Sequence, residues 1–147
     1  MAPVLALAVA AVLSGCASSG PVFTAAQEPT PDQALLYFYR KADSFGQLVP
    51  VRVKVNGEEV ARLPNNSYTY SYAPPGSIII EVTPMRNFSY DEAASVFIRN
   101  TVAAGQTYFL KILQTPAPRF EAAMIVRVKD PIEAKPELAD LPYEGKR

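Results

Sequence analysis

The chain holds one thiol, Cys16, and no histidine. A lone thiol cannot close a disulfide within the chain. Without a second cysteine or an imidazole it cannot complete a zinc site. Ser–His and Cys–His catalysis and imidazole pH switching fall away with histidine. Carboxylates are the remaining acid–base groups, and two adjacent pairs stand out, Glu58-Glu59 and Asp91-Glu92. Neighbouring residues on a strand point to opposite faces, so Glu58 and Glu59 are poorly placed to act together, and a solvated hairpin end is expected. A carboxylate-only hydrolase would need acids converging from distant strands, and no nucleophile motif supports one. The expected class is non-enzymatic, with no cofactor and no metal.

Tyr68, Tyr70 and Tyr72 are the candidate ligand or partner face. Period two puts the three rings on one face of a strand, about 6.8 Å apart. Such a row could stack on sugar rings or anchor a protein, since tyrosine offers an apolar body and a polar edge. The alternative is that the rings fill the core or its rim. That placement is favoured, because Thr69 and Ser71 read as the outward residues of the strand. Arg62 and Arg99 are expected as solvated charges. The glycosylation sequons Asn65-Asn66-Ser67 and Asn87-Phe88-Ser89 are treated as coincidences. With 14 basic and 14 acidic residues the net charge is zero, so no electrostatic case exists for nucleic acid or an anionic membrane surface.

Cys16 stands in Leu13-Ser14-Gly15-Cys16, directly after the apolar run Val4 to Leu13. That run rises only about 15 Å as a helix against a ~30 Å hydrocarbon core, so it reads as a signal-peptide core rather than a membrane span. Small residues before a cysteine, after a short apolar segment, resemble the lipobox of bacterial lipoproteins. The resemblance implies cleavage before Cys16, with Leu13, Ser14 and Gly15 as the recognition residues and a diacylglyceryl group on the Cys16 thiol. Two or more acyl chains give stable anchoring. Ala17 is not the Asp that commonly retains such proteins at the inner membrane, which favours the outer membrane, facing the periplasm. The segment departs from the signal-peptide pattern in having no basic residue near Met1.

The elements follow from periodicity. Residues 1–15 read as signal peptide, and residues 16–33, rich in Ala, Ser and Pro, as lipidated N-terminus and flexible linker. From Ala34 the pattern is period two. Val49, Val51, Val53 and Val55 alternate with polar residues, and Asn56-Gly57 follows, the strongest short hairpin signal. Pro50 marks an edge or a bulge. Further strands are expected over 67–73, 78–83, 95–102, 107–113 and 120–129, with Pro74-Pro75-Gly76 and Ala104-Gly105 as turns and Pro84 to Glu92 as a loop. About eight short strands predict an all-β fold, a small antiparallel β-sandwich over residues 34–130. In the tail, 131–147, Asp130 can cap a short helix or turn beginning at Pro131. Pro136 is expected to interrupt it, and residues 144–147 are expected to be disordered.

The segments Ala34-Leu35-Leu36-Tyr37-Phe38-Tyr39-Arg40, Val53-Lys54-Val55-Asn56-Gly57, Leu63-Pro64-Asn65-Asn66-Ser67-Tyr68, Pro74-Pro75-Gly76 and Ala104-Gly105-Gln106-Thr107-Tyr108-Phe109 resemble bacterial envelope proteins carrying domain of unknown function 2846. The alternation of strands with Asn-Gly and Pro-Gly turns is also similar to PEGA-type β-sandwich modules. These motifs are turn chemistry, so the resemblance implies a small envelope β-domain and supplies no catalytic residue.

Together these observations predict a lipid-anchored cell-envelope β-domain that serves as an interaction or structural module. Its expected partners are the membrane, through Cys16, and another envelope protein. The alternative is a module binding peptidoglycan or polysaccharide through the tyrosine row.

Overall fold

The computed structural model describes residues 22–42, 48–116 and 122–145. Leu13, Ser14, Gly15 and Cys16 lie outside the described residues. The strands are β1 (Ala34–Arg40), β2 (Val51–Val55), β3 (Glu58–Leu63), β4 (Ser67–Ala73), β5 (Gly76–Arg86), β6 (Ser89–Tyr90), β7 (Val96–Val102), β8 (Thr107–Pro116) and β9 (Ala122–Lys129); helix α1 (Pro131–Leu138) follows. They form an all-β sandwich. One sheet runs β4-β1-β8-β9. The other runs β3-β2-β5, with β6 and β7 both paired to β5.

Every residue of β1 is buried. Its even-numbered side chains Ala34, Leu36 and Phe38 enter the space between the sheets, against Val51, Val53, Ile78, Ile80 and Leu110. Its odd-numbered side chains Leu35, Tyr37 and Tyr39 enter a second cluster on the outer face. Burying each large aliphatic or aromatic side chain is worth about 1.5–3 kcal/mol, so both clusters contribute to stability. A strand buried on both faces reads as an unbroken apolar run. The β1–β8 pairing is parallel, whereas the other strand pairings are antiparallel. A parallel pair needs a long crossover, which the second sheet supplies.

Turn chemistry explains the connections. Asn56 (φ 51°) and Gly57 (φ 84°) sit between the paired Val55 and Glu58, as a two-residue turn with positive φ at both centres requires. The bulge falls in β3 opposite the step Val53 to Lys54, and Pro50 simply precedes β2.

The stretch expected as a loop over 84–92 is instead the end of β5, a tight turn and β6. Met85 pairs with Tyr90 and Arg86 with Ser89. Pro84 lies where the partner of β5 changes from β7 to β6, and its carbonyl accepts from Asp91 N at 2.9 Å.

The tail also differs from expectation. α1 starts as predicted, with the Asp130 side chain accepting from Ile132 N at 2.8 Å and Pro131 in the first turn. It continues through Pro136 to Leu138. Pro136 removes a single helical hydrogen bond, and burial of Ala134 and Leu138 on one face offsets that loss. Glu144 is buried rather than disordered, and its N–H donates to Tyr68 O at 2.7 Å. Residues 22–28, read as flexible linker from their composition, lie along the outer face of the β4-β1-β8-β9 sheet.

Candidate functional site

The outer face of that sheet is an aromatic field. Register places Tyr39 beside Tyr68, Tyr37 beside Tyr70, and Leu35 beside Tyr72. Phe109, on β8, stacks on Tyr37 with centroids 5.2 Å apart and planes 5° from parallel. Cross-strand aromatic pairs stabilise a sheet by up to about 1 kcal/mol each.

Three parts of the chain cover this field. α1 seals one flank with Ala134 and Leu138. Tyr39 Oη donates to Glu137 Oε2 at 2.6 Å, and Lys111 Nζ donates to Glu137 Oε1 at 2.6 Å. Burial alone would raise the Glu137 carboxyl, but Lys111 and Tyr39 outweigh it and hold the group below its ordinary value.

The C-terminal segment covers a second part. Tyr68 N donates to Pro142 O at 3.0 Å, so residues 142–144 add a short parallel pairing to the β4 edge. Tyr143 stacks on Tyr70 at 5.4 Å and contacts Tyr68 at 5.5 Å.

The third cover is the strap formed by residues 22–28. Phe23 meets Tyr68 edge-on at 5.0 Å. Thr24 N donates to Tyr68 Oη at 3.2 Å, Ala26 N to Tyr37 Oη at 2.8 Å, and Tyr72 Oη to Gln27 O at 2.6 Å. Tyrosine hydroxyls thereby satisfy strap backbone that no strand pairs. Burial raises the Tyr37, Tyr68 and Tyr72 phenols above their ordinary value, which keeps them neutral.

The three residues of the tyrosine row therefore share a face but differ in access. Tyr68 is 2% exposed and belongs to the second core. Tyr70 and Tyr72 are half-buried. With Tyr143, Glu58, Val60 and Pro74 they line a groove of about 390 Å³ along the open side between the edge strands β3 and β4. The ring planes of Tyr70 and Tyr72 stand 80° apart, so they form no flat platform. Of the two residues expected to face outward, Thr69 is buried, on the same side of β4 as the core residue Ala73, while Ser71 is half-buried and lines the groove. Over Ser67 to Thr69 the strand is flanked by two cores and has no solvent face; from Tyr70 to Tyr72 it borders the groove.

The carboxylate pairs do not converge. Glu59 pairs with Arg62 at 3.0 Å, Asp91 with Arg86 at 3.2 Å, and Glu92 with Arg52. Arg52 and Arg62 are direct cross-strand neighbours, and like charges so placed repel. The Tyr90 ring relieves this, with the Arg52 guanidinium 4.6 Å and that of Arg62 5.9 Å from its centroid. Arg99 is exposed on β7.

Phe23, Tyr37 and Tyr143 belong to the site, although sequence reasoning did not single them out. Their one signal is an aromatic residue in a segment otherwise poor in large apolar side chains, for Phe23 and Tyr143, and the aromatic alternation of β1, for Tyr37.

A search of curated proteins returns no match. The sequence model of the family described as "Protein of unknown function (DUF2846)" matches residues 30–123, which span β1 to β8 and the start of β9. That match covers more than half of the chain, and it includes β1 and β4, the two strands that carry the aromatic field: the chain belongs to the DUF2846 family.

Proposed function

We propose that this chain is a lipid-anchored cell-envelope module that acts without catalysis, by binding another envelope protein. The anchor reading rests on Leu13-Ser14-Gly15-Cys16, and Ala17 favours the outer membrane, facing the periplasm. The observation that carries the binding reading is the half-buried groove at Tyr70, Tyr72 and Tyr143, beside the edge strand β4. Tyr68 already uses its outward N–H and C=O to bind residues 142–144. Strand alternation directs the same groups of Tyr70 and Tyr72 to that edge. An extended segment of a partner would continue the pairing and set a side chain into the groove. The 80° between the Tyr70 and Tyr72 planes favours this reading over sugar stacking.

The test is a photo-crosslinking residue at position 72 in the full-length protein in living cells. Capture of one defined envelope protein supports the reading. Capture of glycan supports the peptidoglycan or polysaccharide alternative. Capture of nothing by a folded, membrane-bound protein contradicts both.

A further inference from the structure

One turn of the fold is built against its own conformational preference. Asn87 (φ 46°) and Phe88 (φ 64°) are the two central residues between the paired Arg86 and Ser89. The equivalent turn at 56–57 has Gly in the second position. A bulky residue in left-handed backbone is rare and disfavoured, and Phe88 gains nothing from packing, being 99% exposed. Strain held without an internal return points outward, to function.

The position of this tip narrows what it meets. Val51 pairs with both Leu63 and Pro84, Arg40 pairs with Ser67, and Arg40 Nη1 donates to Val49 O and Leu63 O at 3.0 Å. The tip at 86–89, Leu48 and the start of β4 therefore share one end of the sandwich. Leu48 is 90% exposed. The strap begins at this same end: Val22 bridges Pro142, which binds Tyr68, and the strap then runs past Tyr37 toward Tyr72. Cys16 precedes Val22 by six residues, which span at most about 20 Å. Phe88 lies four residues beyond Pro84, so the tip projects roughly 10 Å past that level. A lipid at Cys16 would bring this end within reach of the bilayer.

We propose that Phe88 and Leu48 insert into the membrane interface and give the anchored domain a second, side-chain contact with the bilayer that fixes its orientation. Phe and Leu are residues that enter the headgroup boundary. The proposal rests on the lipid-anchor reading. It leaves the groove at Tyr72 accessible, because that groove extends from Tyr70 to Pro74, toward the opposite end.

The test uses the full-length acylated protein in vesicles of phosphatidylethanolamine and phosphatidylglycerol. A solvatochromic dye is placed at Ser89→Cys or, as a control at the far end, at Pro75→Cys, and is read for quenching by lipids carrying a nitroxide on the acyl chain. Flotation of the vesicles is scored first. The expected result is severalfold stronger quenching and a blue-shifted emission at 89 relative to 75. Adding Phe88→Gly and Leu48→Ser should abolish the difference, and Phe88→Gly alone should leave Tm unchanged or raised. Equal quenching at 89 and 75 in protein that floats overturns the membrane contact and leaves the anchor standing. Full quenching retained in the double variant overturns the role of these side chains. Protein that does not float overturns the anchor reading and the contact with it.

Discussion

Tyr39 and Glu137 are 98 positions apart in sequence, and the Tyr39 hydroxyl donates to the Glu137 carboxylate at 2.6 Å. The bond fastens α1 to one flank of the aromatic field, and Lys111 holds the other carboxylate oxygen. Tyr39 is fully buried, so removing its acceptor strands a buried hydroxyl. Glu137→Ala should cost about 1–3 kcal/mol and Tyr39→Phe about 1 kcal/mol, read as shifts in the urea midpoint. The Glu137 carboxyl is held below its ordinary value of 4.5. Its contribution is therefore complete above that value and is lost as pH falls through the depressed one. Glu137→Gln should flatten this part of the acid stability profile.

The buried phenols impose an opposite dependence at high pH. Burial raises Tyr37, Tyr39, Tyr68, Tyr72, Tyr90 and Tyr143 above the ordinary 10.0. A raised phenol binds its proton more tightly when folded, so stability is complete below pH 10 and falls as pH rises beyond it. Absorbance titration at 295 nm should show most of the eight tyrosines ionising together with loss of near-ultraviolet dichroism. Independent titration of folded protein at pH 10 would contradict this.

The strap should be the most readily released cover. Tyr37→Phe leaves Ala26 N without its acceptor, and Tyr72→Phe frees Gln27 O. Each should cost about 0.5–1.5 kcal/mol and speed hydrogen exchange at 24–27, with exchange in β1 little changed.

The two tight turns should answer substitution in opposite senses. Phe88→Gly relieves about 1–2 kcal/mol of left-handed strain and gives back about 0.5–1 kcal/mol in chain entropy, a net gain of up to about 1.5 kcal/mol. Gly57→Ala at φ +84° should cost about 1–2 kcal/mol by conformation alone, since no atom beyond the two chain neighbours lies within 4 Å of the added Cβ. Paired thermal melts measure both.

These contrasts also show what local sequence can carry. Val51, Val53 and Val55 with Asn56-Gly57 specified β2, β3 and their turn, because period two and positive-φ chemistry are short-range properties. The family and the all-β sandwich were legible for the same reason. The strap was not, because the Thr24–Tyr68 bond spans 44 positions, and a segment rich in Ala and Pro gives no sign that distant hydroxyls await its backbone. The inward placement of Thr69 was hidden by the outer cover, which gives the start of β4 two buried faces. The turn at 86–89 was hidden because Phe88 is a residue that turn chemistry disfavours. Of the candidate site, the shared face of Tyr68, Tyr70 and Tyr72 could be read from spacing. Their unequal access could not, since it is set by Tyr143 and by the strap.

The orientation and partner readings share one premise, a lipid on Cys16. Metabolic labelling with a palmitate analogue, comparing wild type with Cys16→Ser, tests it most directly. The account predicts label on the wild-type protein and none on the variant, which should accumulate as a longer, uncleaved precursor. Label persisting on Cys16→Ser, or a wild-type protein that takes none, would contradict it.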